Sequence, residues 1–87
     1  MKYAITFRAS ALKELLALPS KQSERVAHSI DTLADNPRPF GHTKLRGRED
    51  LYRIRIGDIR VIYSIEDEIR IVEVRTTGNR REIYRKR

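Results

Sequence analysis

One stretch constrains the fold of this chain more than any other. It reads Leu51-Tyr52-Arg53-Ile54-Arg55-Ile56-Gly57-Asp58-Ile59-Arg60-Val61-Ile62-Tyr63. Side chains repeat with period two on both sides of Gly57-Asp58, the pattern of two half-buried strands. A two-residue loop with glycine first suits a type II′ hairpin turn. That turn sets a register: Ile56 opposite Ile59, Arg55 opposite Arg60, Ile54 opposite Val61, Tyr52 opposite Tyr63. The apolar partners and the two tyrosines then face a core, with the tyrosine hydroxyls at its rim. Arg53, Arg55 and Arg60 emerge on the other face, towards solvent.

The remaining segments fit around this hairpin. Lys2 to Phe7 alternates as a short strand. Ala9 to Leu18 carries Leu12, Leu15 and Leu16 at helical spacing, with Ser10 as a start signal. Pro19 separates it from a second helix capped by Ser20. This second helix carries Val26, Ile30 and Leu33 on one stripe and ends at Asn36-Pro37. Arg38 to Asp50 reads as a loop. Ile69 to Arg75 is a last strand after a polar turn at Glu66-Asp67-Glu68. If Asp67-Glu68 closes that turn, Arg75 falls beside Arg60, while Val72 and Val74 join the core. Glu73 and Ile62 share the open face. The order of elements predicts an α+β fold: an N-terminal strand, a helical hairpin, then an antiparallel meander with the helices on one sheet face. Eighty-seven residues suffice for one domain, 1–87.

Charge narrows the function. The formal net charge is +7. Residues 1–43 hold six Lys/Arg against four Asp/Glu, and residues 44–87 hold thirteen against eight. Arginine dominates the second half, and its planar guanidinium grips phosphate through paired hydrogen bonds. RNA, DNA or an acidic protein are the partners such a balance suggests. Three or four arginines clustered on one face cost stability, because like charges on facing strands repel by roughly 0.2–1 kcal/mol per pair. The pattern points to an anion cradle, most naturally for a phosphodiester.

Several classes are excluded. With no cysteine there is neither a disulfide framework nor a thiolate zinc site. His28 and His42 are isolated, so no metal site and no cofactor are expected. No apolar run approaches membrane-spanning length. The N-terminus reads as a strand rather than a secretory leader, which suggests a cytoplasmic protein.

With these residues in place, the chain resembles the RelE/ParE toxin superfamily over nearly its whole length. The resemblance rests on Arg8-Ala9-Ser10-Ala11-Leu12-Lys13, on Lys44-Leu45-Arg46-Gly47, on the hairpin, and on Gly78-Asn79-Arg80-Arg81-Glu82-Ile83-Tyr84. It implies two helices packed on an antiparallel sheet and a RelB-like antitoxin partner that covers the basic site. It further implies, for the RelE branch, metal-independent cleavage of mRNA in the ribosome, with Arg53, Arg55, Arg60, Arg80 and Tyr84 at the working positions. The ParE branch shares the fold and inhibits DNA gyrase without cutting RNA, and it is the alternative. Two departures from the pattern stand out. Arginine occupies Arg53 and Arg55 where the best-known RelE sites have lysine, and Asn79 replaces a histidine found in many relatives.

RNA cleavage without metal needs attack of the 2′-hydroxyl on the adjacent phosphorus. Arg60 and Arg80 suit stabilisation of the phosphorane. Arg53 and Arg55 suit clamping of the substrate and neutralisation of the leaving group. Tyr84 is the expected base if neighbouring guanidinium groups lower its pKa, or else an aromatic anchor of the C-terminus. Arg75 and Arg81 are expected to add RNA contacts. Lys44 and Arg46 either contact ribosomal RNA or cap the loop.

Overall fold

A computed structural model describes residues 2–47 and 50–79. The chain runs β1 (Ala4–Phe7), α1 (Ala9–Leu16), α2 (Ser20–Thr32), β2 (Thr43–Lys44), β3 (Leu51–Ile56), β4 (Ile59–Glu66) and β5 (Ile71–Asn79). The five strands form one sheet in the order β1-β5-β4-β3-β2. The α+β class and the helical hairpin are as the sequence predicts. The sheet, however, is mixed, because β1 lies parallel to β5, Ala4 opposite Ile71 through Phe7 opposite Val74. The short β2 forms inside the expected loop, where Thr43 pairs with Arg53 and Lys44 with Tyr52.

The central hairpin has the register its turn dictates. Ile56 faces Ile59, Arg55 faces Arg60, Ile54 faces Val61 and Tyr52 faces Tyr63. Gly57 has φ +61° and Asp58 has no positive φ, as a type II′ turn requires. The second hairpin departs from expectation. Four residues, Asp67 to Arg70, separate Glu66 from its partner Ile71, and Arg70 adopts φ +56°. The register then shifts between Ile62 and Tyr63: Tyr63 faces Val74 but Ile62 faces Thr76. Arg75 is the extra residue of this bulge. Arg60 therefore stands opposite Gly78, not beside Arg75. The longer turn moves the pairing by two residues and the bulge by one more.

The core lies between the helices and one sheet face. Ala11 and Leu15 of α1, Val26 and Ile30 of α2 and the following Leu33 pack against Ile54, Ile59, Val61, Tyr63, Ile65, Val72 and Val74. Burying each large apolar side chain stabilises the fold by roughly 1.5–3 kcal/mol. The α2 stripe is as expected. The α1 stripe is not, since Leu12 and Leu16 are 41% and 71% exposed and Ala11 is buried instead. The inward face of α1 thus runs through Ala11 and Leu15. Boundaries shift slightly as well: α1 starts after Arg8, and Pro19 rather than Ser20 occupies the cap position of α2. Among the described residues no helix is long and apolar enough to cross a membrane.

Candidate nucleic-acid interface

The sheet face turned away from the helices carries the predicted arginines. Arg55 on β3 and Arg60 on β4 are direct cross-strand partners, and Arg53 lies two residues along β3 on the same side, opposite Ile62. The three differ in burial. Arg55 is exposed and Arg53 half-buried. Arg60 is only 6% exposed, so its expected projection into solvent is wrong. The reason is topological. Arg60 sits on a central strand between β3 and β5, while Arg55 lies on the part of β3 that β2 does not reach. Gly78, lacking a side chain, is the neighbour of Arg60 on β5 and leaves room beside it. Arg53 and Arg55 have no carboxylate within ion-pair distance among the described residues.

Arg75 lies differently. Its guanidinium Nη1 is 3.9 Å from Glu73 Oε1 and 4.0 Å from Asp50 Oδ2. Glu73 also meets Arg8 Nε at 3.8 Å. Because Asp50 directly precedes β3 and Arg75 belongs to β5, this side chain reaches across β4. The open face is therefore divided. An alternating set of ion pairs occupies the Glu73 side, and the cross-strand partners Arg55 and Arg60 occupy the Gly57 end.

Lys44 is paired with Tyr52, so its side chain lies on the helix-side face at the sheet edge, away from Arg53 and Arg55. Arg46 is exposed in the following turn. Arg80, Arg81 and Tyr84 lie outside the described residues. His28 is exposed on α2. The Nδ1 of His42 is 2.8 Å from the Pro39 carbonyl and its ring lies 5.9 Å from Tyr52, so it braces a loop. Among the described residues no group of three or more His, Cys, Asp or Glu could hold a metal.

At the opposite end of the hairpin a polar network closes the fold. Arg38 donates to both oxygens of Asp67, at 3.2 and 2.9 Å, and to the Tyr52 hydroxyl at 3.5 Å. Its guanidinium lies 5.3 Å from the centre of the Tyr52 ring. The Tyr3 hydroxyl donates to Asp67 at 2.6 Å. The Arg38 guanidinium, and then the Tyr3 hydroxyl, hold the Asp67 pKa down at about 2, from an ordinary 3.8. Tyr63 is fully buried, not at the rim as expected, and its hydroxyl donates to the Pro37 carbonyl at 2.7 Å. Burial pushes that phenol's pKa up, so it is a neutral donor. The sequence reading missed this network and also Glu14. Glu14 follows Ala11 by three positions and precedes Leu15, a spacing that puts a carboxylate on the inward face of α1. Its Oε1 accepts the Thr77 amide at 2.9 Å.

Comparison with known proteins gives matches over nearly the whole chain. A family model described as the ParE toxin of type II toxin–antitoxin systems (parDE) matches residues 5–84. The mRNA interferase toxin RelE of Escherichia coli K12 is 33% identical, over 97% of this chain and 92% of the relative. The archaeal RelE–RelB complex of Pyrococcus horikoshii contains a chain that superposes with a TM-score of 0.80 at 33% identity, covering 92% of this chain and 97% of that one. The intact E. coli RelBE toxin–antitoxin complex gives 0.78 at 32% identity, over 88% and 95%.

Proposed function

The chain belongs to the RelE/ParE superfamily of type II toxins, and from that premise we propose that it is an endoribonuclease that cuts mRNA on the ribosome without metal. The observation that carries this reading is the stack of Arg55 on Arg60 with Arg53 beside it. Facing like charges oppose folding, and neither Arg53 nor Arg55 has a carboxylate within ion-pair distance among the described residues, which supports an anionic ligand. The sheet register sets Arg53, Arg55 and Arg60 on one face, and a preorganised cluster of donors is what electrostatic stabilisation of a phosphorane requires.

In this reading the 2′-hydroxyl attacks the neighbouring phosphorus and the 5′-oxygen leaves. The departing 5′-oxygen takes a proton from water, so the products are a 2′,3′-cyclic phosphate and a 5′-hydroxyl. Arg60, fixed by burial, and Arg80 stabilise the pentacovalent phosphorus. Arg53 and Arg55 hold the flanking phosphate and neutralise the leaving oxygen. Arginine is a poor proton carrier, so the 2′-proton goes to Tyr84, the base the family resemblance implies; a guanidinium beside a phenol favours its phenolate. Arg46 and Arg81 extend the contact to RNA. Arg75 joins them by exchanging its carboxylate partners for phosphate. Lys44 points to the other face and meets RNA only where it wraps the β2 edge. A RelB-like antitoxin, of the kind bound to the P. horikoshii and E. coli relatives, covers this face and silences it. The site of action is cytoplasmic, with translating ribosomes.

Purified protein added to mRNA-programmed ribosomes, and separately to DNA gyrase, tests the proposal. Cleaved mRNA bearing cyclic-phosphate ends with unaffected gyrase is expected. Intact mRNA with inhibited supercoiling would replace this reading with that of a gyrase inhibitor.

A further inference from the structure

The sheet has a gap where β1 stops short. β1 accompanies β5 only as far as Phe7 opposite Val74, and the Arg8 amide makes the last contact, donating to the Val74 carbonyl at 2.9 Å. β5 runs on to Asn79. Its edge on the β1 side is therefore without a strand from Arg75 onward, directly after the bulge has broken the regular ladder on the β4 side. An amide left unpaired in such a place costs about as much as a lost hydrogen bond. Helix α1 fills the gap. Glu14 projects from the face that carries the buried Ala11 and Leu15, and its carboxylate accepts the Thr77 amide at 2.9 Å.

Thr77 is a sensitive place for this bond. It is 1% exposed, and its own hydroxyl has no hydrogen-bond partner among the described residues. It pairs with Val61 in the core, and the next residue, Gly78, stands directly opposite Arg60. The end of β5 beside Arg60 is thus held on one side by β4, and on the other the Thr77 amide is held by the Glu14 carboxylate of α1.

We propose that Glu14 is a positioning residue for the arginine site: by accepting the Thr77 amide it holds the end of β5 against Arg60. The inference rests on the ribonuclease reading above for its effect on cleavage, but not for its effect on the strand. Glu14 touches neither substrate nor reacting atoms in this account. What the Thr77 amide needs from it is an acceptor oxygen at a fixed place, so an uncharged acceptor of the same shape should restore that bond.

The test compares Glu14→Ala with Glu14→Gln in the intact chain. Ile30→Val, a loss of core packing on α2 away from β5, serves as a stability control. Amide exchange of Thr77, read by NMR, is expected to accelerate by about tenfold or more in Glu14→Ala and to stay near the parent rate in Glu14→Gln. Single-turnover cleavage on ribosomes is expected to fall by about tenfold in Glu14→Ala at saturating ribosome, with affinity within about twofold, and to recover in Glu14→Gln. Ile30→Val should cleave at the parent rate. Parent-like Thr77 exchange in Glu14→Ala overturns the proposal. So does full-rate cleavage by a Glu14→Ala protein whose Thr77 amide has been released, or an equal loss of cleavage in Ile30→Val. If the parent itself does not cut mRNA, the ribonuclease reading fails. The Arg60 Nε–H resonance then decides the inference: a shift in Glu14→Ala that Glu14→Gln reverses supports it, and an unmoved resonance in both rejects it.

Discussion

The two ends of the β3–β4 hairpin are built on opposite principles. At the Asp67 end, Arg38 is matched to the Asp67 carboxylate and to Tyr52, and the buried Tyr63 hydroxyl has its carbonyl. At the Gly57 end, Arg55 and Arg60 face each other, and Arg53 and Arg55 lack a carboxylate among the described residues. The first end spends its polar groups on holding the chain together. The second leaves Arg53 and Arg55 in reserve for a ligand. The same hairpin carries both, so a substitution at one end should move stability and at the other should move activity.

The largest separation should come from Tyr84→Phe. If the phenolate is the base, single-turnover cleavage on programmed ribosomes falls by about two to four orders of magnitude, while ribosome affinity hardly changes. Parent-rate cleavage would leave Tyr84 as a C-terminal anchor.

Tyr63→Phe should do the reverse. It keeps the ring and strands the Pro37 carbonyl, for a loss of about 1–3 kcal/mol in denaturant unfolding. Cleavage by the folded fraction should match the parent. A loss of activity beyond the loss of folded protein would show that the two ends are coupled.

A smaller effect is expected from acid. The Asp67 pKa is lowered in the folded state, from 3.8 to about 2. Its contribution is therefore fully present above pH 4 and is lost as the pH falls through 2. Asp67→Asn should flatten that part of the acid-unfolding curve and leave the profile above pH 5 parallel to the parent's. An unchanged acid limb would mean that the Arg38–Asp67 pair does not hold the loop.

The smallest is a gain. Arg55→Ala removes the exposed partner of Arg60 and should stabilise the fold by roughly 0.2–1 kcal/mol in urea unfolding. Destabilisation would mean that the stack is held by interactions other than repulsion.

The sequence shows the arginine end more clearly than the tyrosine end. A two-residue turn fixes register by counting, so the pairing of Arg55 with Arg60 follows from Gly57-Asp58 alone. The placement of Arg75 did not follow, because Arg70 in a left-handed conformation lengthens the next turn and a bulge inserts one more residue. Neither leaves a mark in local periodicity. Burial of Arg60 escaped for a related reason: alternation assigns a face, while strand order decides how much of that face is covered. The parallel pairing of β1, the short β2, the Arg38–Asp67 bond and the Glu14–Thr77 bond join residues far apart in sequence, where periodicity has nothing to say. The resemblance to RelE/ParE toxins supplied Arg80 and Tyr84, which no local pattern would single out.

Arg60→Met tests the central claim most directly. Methionine keeps an unbranched stem in a buried position, where alanine would leave a hole, and removes only the guanidinium. Single-turnover cleavage of mRNA on programmed ribosomes, measured beside thermal unfolding, separates function from fold. The account predicts cleavage slowed by about 10²–10³-fold, the usual worth of one donor to a developing oxyanion, in a protein that remains folded at the assay temperature. A folded Arg60→Met protein that cuts mRNA at the parent rate would contradict it.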